Sequence, residues 1–261
     1  MRKAMKIIGV VGGVGPAAGT DLVNKIFSQT RASSDQEHLP TILISLPHTI
    51  ADRTEYVLGR SRANPAGAIF RVVRLLEEAG ASVIGIPCNT AHARGIFGPL
   101  QARLRRAGSR VKLLHLIEEV CLFLRRRHPA VRRVGLLAST GTCRSGVYEA
   151  VLSRHGLEVV LPRPRTQETL VHPAIYDRRY GIKACSGSVT VRARRAVRTA
   201  MGELLAAGAE AVILGCTELP LAYPGRSYRG RPVIDSTLVL ARALIREAAR
   251  EKLKEPGARS Q

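Results

Sequence analysis

Short apolar runs alternate along the chain with stretches of helical periodicity. Residues 7–11 form the first run and end in glycines. Over residues 19–30, Leu22, Val23, Ile26 and Phe27 recur at helical spacing. Residues 41–46 predict a second strand. A helix is predicted from about Pro65, with Asn64 as its N-cap and Pro65 in its first position. Its apolar face is Ile69, Val72, Val73 and Leu76, and Gly80 ends it. Residues 83–86 predict a third strand, followed by a helix from about Thr90, and residues 111–115 predict a fourth strand. Continuous apolar strands separated by helices indicate a parallel sheet covered on both faces. A last helix, about 237–254, has Leu238, Leu240, Ala241, Leu244, Ile245 and Ala248 on one face.

The second half of this pattern repeats the first. Gly9 to Gly15 and Gly135 to Gly141 both close a strand and lie 126 residues apart. Ala79-Gly-Ala81, a strand and Cys88 match Ala207-Gly-Ala209, a strand and Cys216, 128 residues apart. A weaker match pairs residues 113–119 with 233–238. Matches in the same order predict an internal duplication. The expected fold class is therefore α/β: two pseudosymmetric α/β domains with parallel sheets and an active site in the interdomain cleft. Residues 1–112 plus 230–255 are expected to form the N-terminal domain, with a C-terminal strand and helix returning to it. Residues 113–229 form the second domain, and 256–261 a frayed tail.

Composition narrows the class. The 261 residues carry 45% apolar side chains, as soluble globular domains do. No apolar run reaches the roughly 18 residues that span a bilayer. The opening residues read as a first strand rather than a signal peptide, so a cytoplasmic location and no membrane partner are expected. The net charge of +21 comes from 41 basic residues, of which seven are lysine. Such a balance raises nucleic-acid binding. Yet the arginines are dispersed, aromatics make up 4%, and no stacking motif lies among the basic residues. A solvated cationic surface that also attracts an anionic substrate is the better expectation.

Five cysteines, at 88, 121, 143, 185 and 216, show neither CxxC pairs nor metal-ligand spacing with histidine. An odd count at irregular spacing argues against a disulfide framework and for reduced thiols. No metal site is expected. Any one buried cysteine is most often a small hydrophobe. Cys88 and Cys216 differ because the duplication sets each at the end of the corresponding strand, where parallel α/β folds bind ligands. Each precedes a predicted helix start, in Cys88-Asn-Thr-Ala-His92 and Cys216-Thr-Glu-Leu-Pro220. Backbone N–H groups there are expected to lower the thiol pKa. Two apposed thiols suit inversion of a carbon centre: one removes a proton and the other delivers one to the opposite face. Cys121, beside Leu122 and Leu124, reads as core. Cys143 and Cys185 receive no role, and His92 reads as structural or as a modulator of Cys88.

The motifs Lys6-Ile-Ile-Gly-Val-Val-Gly-Gly-Val-Gly-Pro16, Ala51-Asp-Arg-Thr54, Ile86-Pro-Cys-Asn-Thr-Ala-His92 and Leu214-Gly-Cys-Thr-Glu-Leu-Pro220 resemble the aspartate/glutamate racemase superfamily. Ala138-Ser-Thr-Gly-Thr142 and Ile234-Asp-Ser-Thr237 support the resemblance, which runs from about residue 5 to 250. The opening Gly-Gly-x-Gly-Pro, and Glu218 after the second cysteine, resemble the aspartate-racemase branch. The resemblance implies racemisation of an acidic amino acid, most of all aspartate, with Cys88 and Cys216 as bases and no pyridoxal phosphate or other cofactor. It further implies that Asn89, Thr90 and Thr217 bind the α-carboxylate. Gly13, Val14, Gly15, Thr140 and Thr142 are to line the cleft, with Glu218 beside the second cysteine. Arg53 and Lys183 are to hold the distal carboxylate, and His48 is to stand near the substrate. A homodimer is expected. Val14, His48 and Cys185 depart from residues frequent in the family. Glutamate or broad-specificity racemases, hydantoin racemase, maleate isomerase and a decarboxylase share the cysteine framework and are the alternatives. A nucleic-acid-binding protein on the same fold is the alternative from another class.

Overall fold

The computed structural model describes residues 5–185 and 187–255; the expected tail 256–261 lies outside them. The first half runs β1 (Ile7–Val11), α1 (Pro16–Gln29), β2 (Thr41–Ile44), α2 (Arg53–Val57), α3 (Ala66–Glu78), β3 (Ala81–Gly85), α4 (Arg94–Arg106), β4 (Lys112–Leu113) and α5 (Leu116–Arg127). The second runs β5 (Arg133–Ala138), α6 (Thr140–Arg144), α7 (Val147–Leu152), β6 (Glu158–Val160), α8 (Pro164–Thr166), α9 (His172–Tyr176), α10 (Val191–Ala206), β7 (Ala211–Gly215), α11 (Leu219–Ala222), β8 (Ser227–Tyr228), β9 (Arg231–Asp235) and α12 (Ser236–Ala249).

The predicted duplication appears in the sheets. The first has the order β2-β1-β3-β4 and the second β6-β5-β7-β9, with β8 added as an antiparallel edge. Apart from β8 every pairing is parallel. Boundaries moved where local chemistry intervened. Strand β2 stops at Ile44 because Pro47 cannot extend a ladder and starts a 3₁₀ turn. After Cys88 the chain makes a 3₁₀ turn at Thr90–His92 before α4 begins at Arg94.

The expected return of a strand to the N-terminal domain is corrected. Strand β9 pairs with β7, through Val212↔Val233 and Ile213↔Ile234, and so belongs to the second sheet. The position beside β3 is already filled by β4, which also draws Leu113 into the first sheet through Ile84↔Leu113. Only the helix returns. Helix α12 packs on α1 and against β1 and β3, while α5, which follows the first sheet, packs on α7 of the second half. Each half thus lends its last helix to the other. Ile8, Val10 and Val83 from the first sheet and Val134, Leu136 and Ile213 from the second share one core. Ile117, Val120, Leu240 and Leu244 on the two exchanged helices join them. Fully buried side chains of this kind contribute roughly 1.5–3 kcal/mol each, so the halves fold against a common interior. Among the described residues no helix is long and apolar enough to cross a membrane.

Candidate active site

The strand ends of both halves meet at one small cavity of about 280 Å³. From the first half Val14, Arg53, Thr54, Cys88, Asn89 and Thr90 line it; from the second, Ser139, Thr142, Tyr176, Lys183, Gly215, Cys216, Thr217 and Glu218 do. Both cysteines are 8% exposed. The loops that carry them are tied together, since the Thr217 hydroxyl donates to the Pro87 carbonyl at 3.1 Å.

The two thiols sit in unlike surroundings. Cys216 Sγ donates to Glu218 Oε2 at 3.0 Å, and Thr217 Oγ1 donates to the same oxygen at 3.3 Å. The other oxygen, Oε1, lies 2.5 Å from Lys183 Nζ. Burial pushes the Cys216 thiol well above its usual pKa, and the Glu218 carboxylate adds to this while Lys183 opposes it. Burial also works against ionisation of Glu218, but Lys183 and the thiol's hydrogen bond outweigh it and hold the carboxyl below its usual range. The sequence expectation of a thiol acidified by a helix start is thus reversed at Cys216. Helix α11 is only four residues long, and a carboxylate is the nearer charge.

Cys88 has a different frame. Its carbonyl accepts from His92 Nδ1 at 2.9 Å. The imidazole is fully buried, stacked on Phe97 and edge-on to His115, and burial pulls its pKa down to about 3. His92 is therefore neutral and holds the loop rather than exchanging protons near neutral pH. Arg53 approaches Cys88 from α2, whose start is capped by the Asp52 side chain accepting from the N–H groups of Thr54 and Glu55. Its Nη2 donates to the Val14 carbonyl at 2.6 Å and its Nη1 to the Ala51 carbonyl at 3.3 Å. Its Nε is buried with no hydrogen-bond partner among the described residues. Burial works against the guanidinium's charge, yet Cys88 and Asp52 outweigh it and raise the pKa.

A cluster of hydroxyls closes one wall. Thr90 Oγ1 lies 2.8 Å from Thr142 Oγ1 and 3.1 Å from Ser139 Oγ, all three buried. The hydroxyls of Thr54 and Tyr176, one from each half, are hydrogen-bonded at 2.9 Å across the cleft. The glycine of the first loop has a steric reason. Gly15 has φ of 151°, and a Cβ there would fall 2.7 Å from Glu218 Oε1.

Ten of the residues singled out in the sequence line the cavity. Gly15 abuts Glu218 behind it, and Gly13 packs against Leu46. Two others stand away. His48 is exposed in the 3₁₀ turn after β2 and is not among the lining residues, and Thr140 is hydrogen-bonded to His172 Nδ1 at 3.1 Å. Lys183 lines the cavity, but with its charge met by Glu218 rather than free for a ligand. Thr54 and Ser139 were missed although they lie inside motifs already noted. Tyr176 was also missed; it comes from a short helix with no distinguishing pattern. Cys121 is core, as expected, and Cys143 is half-buried, with burial raising its thiol to about 12. Among the described residues no group of three His, Cys, Asp or Glu side chains could hold a metal ion.

Comparison with known proteins places this geometry. The sequence profile of the Asp/Glu/Hydantoin racemase family matches residues 11–244. The fold superimposes on Picrophilus torridus aspartate racemase with a TM-score of 0.76 at 29% identity, covering 93% of this chain and 94% of that one. An aspartate racemase homologue from Pyrococcus horikoshii OT3 gives 0.71 at 28% identity, covering 94% and 100%. The broad specificity amino-acid racemase RacX of Bacillus subtilis (strain 168) is 26% identical over 244 residues, 92% of this chain and 96% of that protein.

Proposed function

Because the chain belongs to the Asp/Glu/Hydantoin racemase family, we propose that it racemises an acidic amino acid, aspartate before others, with Cys88 and Cys216 as the two bases. The observation that carries this reading is the arrival of two thiols, from equivalent strand ends of a duplicated fold, at one cavity between the halves. In the reaction one cysteine thiolate takes the α-proton and becomes a thiol, leaving a carbanion delocalised into the carboxylate. The other thiol delivers its proton to the opposite face and becomes the thiolate. Protons balance, and the enzyme is left with the roles of its cysteines exchanged.

The α-carboxylate gains charge in the transition state. Hydrogen-bond donors that are already in place stabilise it without reorganising. Asn89 and the hydroxyls of Thr90, Ser139 and Thr142 are such a set, on the wall beside Cys88. Arg53, also near Cys88, presents a buried charge with an unused N–H. With Lys183 matched by Glu218, one cation remains for one distal carboxylate, which favours an acidic substrate over a neutral one. Burying that carboxylate unpaired would be costly, and its pairing fixes Cα between the sulfurs.

A chiral assay of both enantiomers of the twenty amino acids, without added cofactor, tests the reading. Aspartate is expected to turn over fastest. Cys88→Ala and Cys216→Ala are each expected to abolish racemisation, since one base alone cannot protonate the far face. Racemisation at the wild-type rate by either variant would remove that cysteine from the mechanism.

A further inference from the structure

Behind the cavity wall a hydrogen-bonded chain joins three parts of the fold. Tyr148, fully buried on α7 of the second half, donates its hydroxyl to Asn89 Oδ1 at 2.7 Å. Asn89 Nδ2 donates to Ser236 Oγ at 3.3 Å, and Ser236 Oγ donates to the Leu214 carbonyl at 2.8 Å. The directions are forced. The Leu214 carbonyl can only accept, so the single hydroxyl proton of Ser236 is committed to it. Ser236 can then only accept from Asn89, which puts the amide nitrogen on that side and the amide oxygen toward Tyr148. The phenol, which burial keeps protonated, supplies the donor that oxygen needs. An asparagine amide has two N–H donors. One is spent on Ser236, and one is left on a residue that lines the cavity next to Cys88.

We propose that Tyr148 is a positioning residue, which locks the Asn89 amide with its nitrogen outward so that its spare N–H donates to the substrate's α-carboxylate. The inference rests on the reading of the cavity as an amino-acid site. Without the Tyr148 hydroxyl the buried amide oxygen has no donor, and the amide keeps only its 3.3 Å bond to Ser236, so its plane and the direction of the spare N–H are no longer fixed toward the ligand. Tyr148 belongs to the second half and Asn89 to the first, so the amide is set only when the halves are docked. Neither the motif around Cys88 nor the hydroxyl cluster does this work, because neither specifies which end of the amide faces the ligand.

The test is a double-mutant cycle between Tyr148→Phe and Asn89→Ala. Tyr148→Phe keeps the ring and removes only the hydroxyl. It is expected to lower kcat/KM for aspartate about tenfold, the scale of one hydrogen bond to a charged group, through a raised KM together with a lowered kcat, because the α-carboxylate gains charge in the transition state. Tyr148→Phe added to Asn89→Ala is expected to cost nothing further, because the hydroxyl acts through the amide. Binding of succinate, measured by calorimetry, should weaken by a similar factor and does not depend on turnover. Ser236→Ala, which frees the other end of the amide, gives the same direction of effect if Asn89→Ala does not fold. An unchanged kcat/KM and succinate affinity in Tyr148→Phe overturns the proposal, even if its unfolding temperature falls. Additive losses in the cycle, or no succinate binding by the wild type, overturn it too. A wild type that binds succinate through Tyr148 yet racemises no amino acid leaves Tyr148 in its role and removes the racemase reading instead.

Discussion

Replacing Lys183 by methionine keeps an unbranched side chain of similar length and deletes its charge. The partner left behind is Glu218, whose side chain is 4% exposed. It would keep only the Cys216 thiol at 3.0 Å and the Thr217 hydroxyl at 3.3 Å as donors. Breaking a buried ion pair by removing one member costs about 3–5 kcal/mol. Because the Lys183 side chain is itself 26% exposed, the lower end applies, about 3 kcal/mol. There is also a ceiling, because the stranded carboxylate can take up a proton. For a carboxyl with an ordinary pKa near 4.3, protonation at pH 7 costs about 3.7 kcal/mol, and this falls by about 1.4 kcal/mol per pH unit. At pH 5 the ceiling is about 1 kcal/mol.

The pH dependence separates this account from a loss of packing. In the wild type Glu218 has a depressed pKa. Its pairing therefore stabilises the fold above the unfolded carboxyl value, and that contribution is lost as pH falls through the folded one. In Lys183→Met the folded pKa is raised instead, so the carboxyl favours folding only while protonated, and that advantage is lost as pH rises. The gap between the two proteins should open from about 1 kcal/mol at pH 5 to about 3 kcal/mol at pH 7. Urea unfolding of both at pH 5, 6 and 7 measures it. Groups that titrate alike in both proteins cancel in the difference. A gap under about 1 kcal/mol at pH 7, or one that does not vary with pH, refutes the reasoning.

Two other outcomes follow from the cavity. Arg53→Ala should lower kcat/KM for aspartate by about a hundredfold to a thousandfold, the equivalent of stranding a buried carboxylate, and should affect alanine far less. Arg53→Lys should recover only part, because the forked geometry is lost. Kinetics with both substrates decide it, and an unchanged preference for aspartate would place specificity elsewhere. Gly141→Ala would put a Cβ 2.7 Å from Thr54 Oγ1 and 2.8 Å from Thr54 Cα, driving α6 away from α2 across the cleft. A stability loss of about 1–3 kcal/mol with a raised KM is expected. Wild-type stability and KM would mean that the halves do not meet in this way.

The parts of the molecule legible in sequence were those encoded locally. Each cysteine sits in a contiguous strand-to-loop motif, and its twin stands a fixed distance further on, so both could be found without knowing the fold. The repeat also implied that the two sheets share one strand order, without showing which order that is. The placement of residues 231–235 was not, because their local pattern marks a strand without naming its neighbour. That choice depended on β4 having filled the edge beside β3. Pairing between named residues was also hidden. Lys183 and Glu218 were both singled out, yet nothing in their spacing shows that they meet, and their meeting changes the role of the lysine. Tyr148 and Tyr176 had no signal at all. They come from short helices whose patterns describe packing, and only the fold brings their hydroxyls to Asn89 and Thr54.

The duplication gives the two cysteines equivalent backbone positions, but their charges are not equivalent, and for a racemase this asymmetry has a definite consequence. Cys216 faces a carboxylate held ionised by Lys183; Cys88 has Arg53 beside it and a neutral His92 under its carbonyl. The form of the enzyme with a proton on Cys216 is therefore favoured over the form without it. In the proposed two-base mechanism, the enantiomer whose α-proton faces Cys216 needs the disfavoured form and binds it in proportion to its population, which is expected to raise that enantiomer's apparent KM. Yet two enantiomers have equal free energy in water, so their equilibrium constant is one and their kcat/KM values must be equal. The higher KM has to be matched by a higher kcat. Unequal thiols thus cannot make the enzyme one-directional. Under the proposed mechanism they set how the same efficiency is divided between binding and turnover for each enantiomer, with the Glu218–Lys183 pair rather than the fold's symmetry as the source of that division.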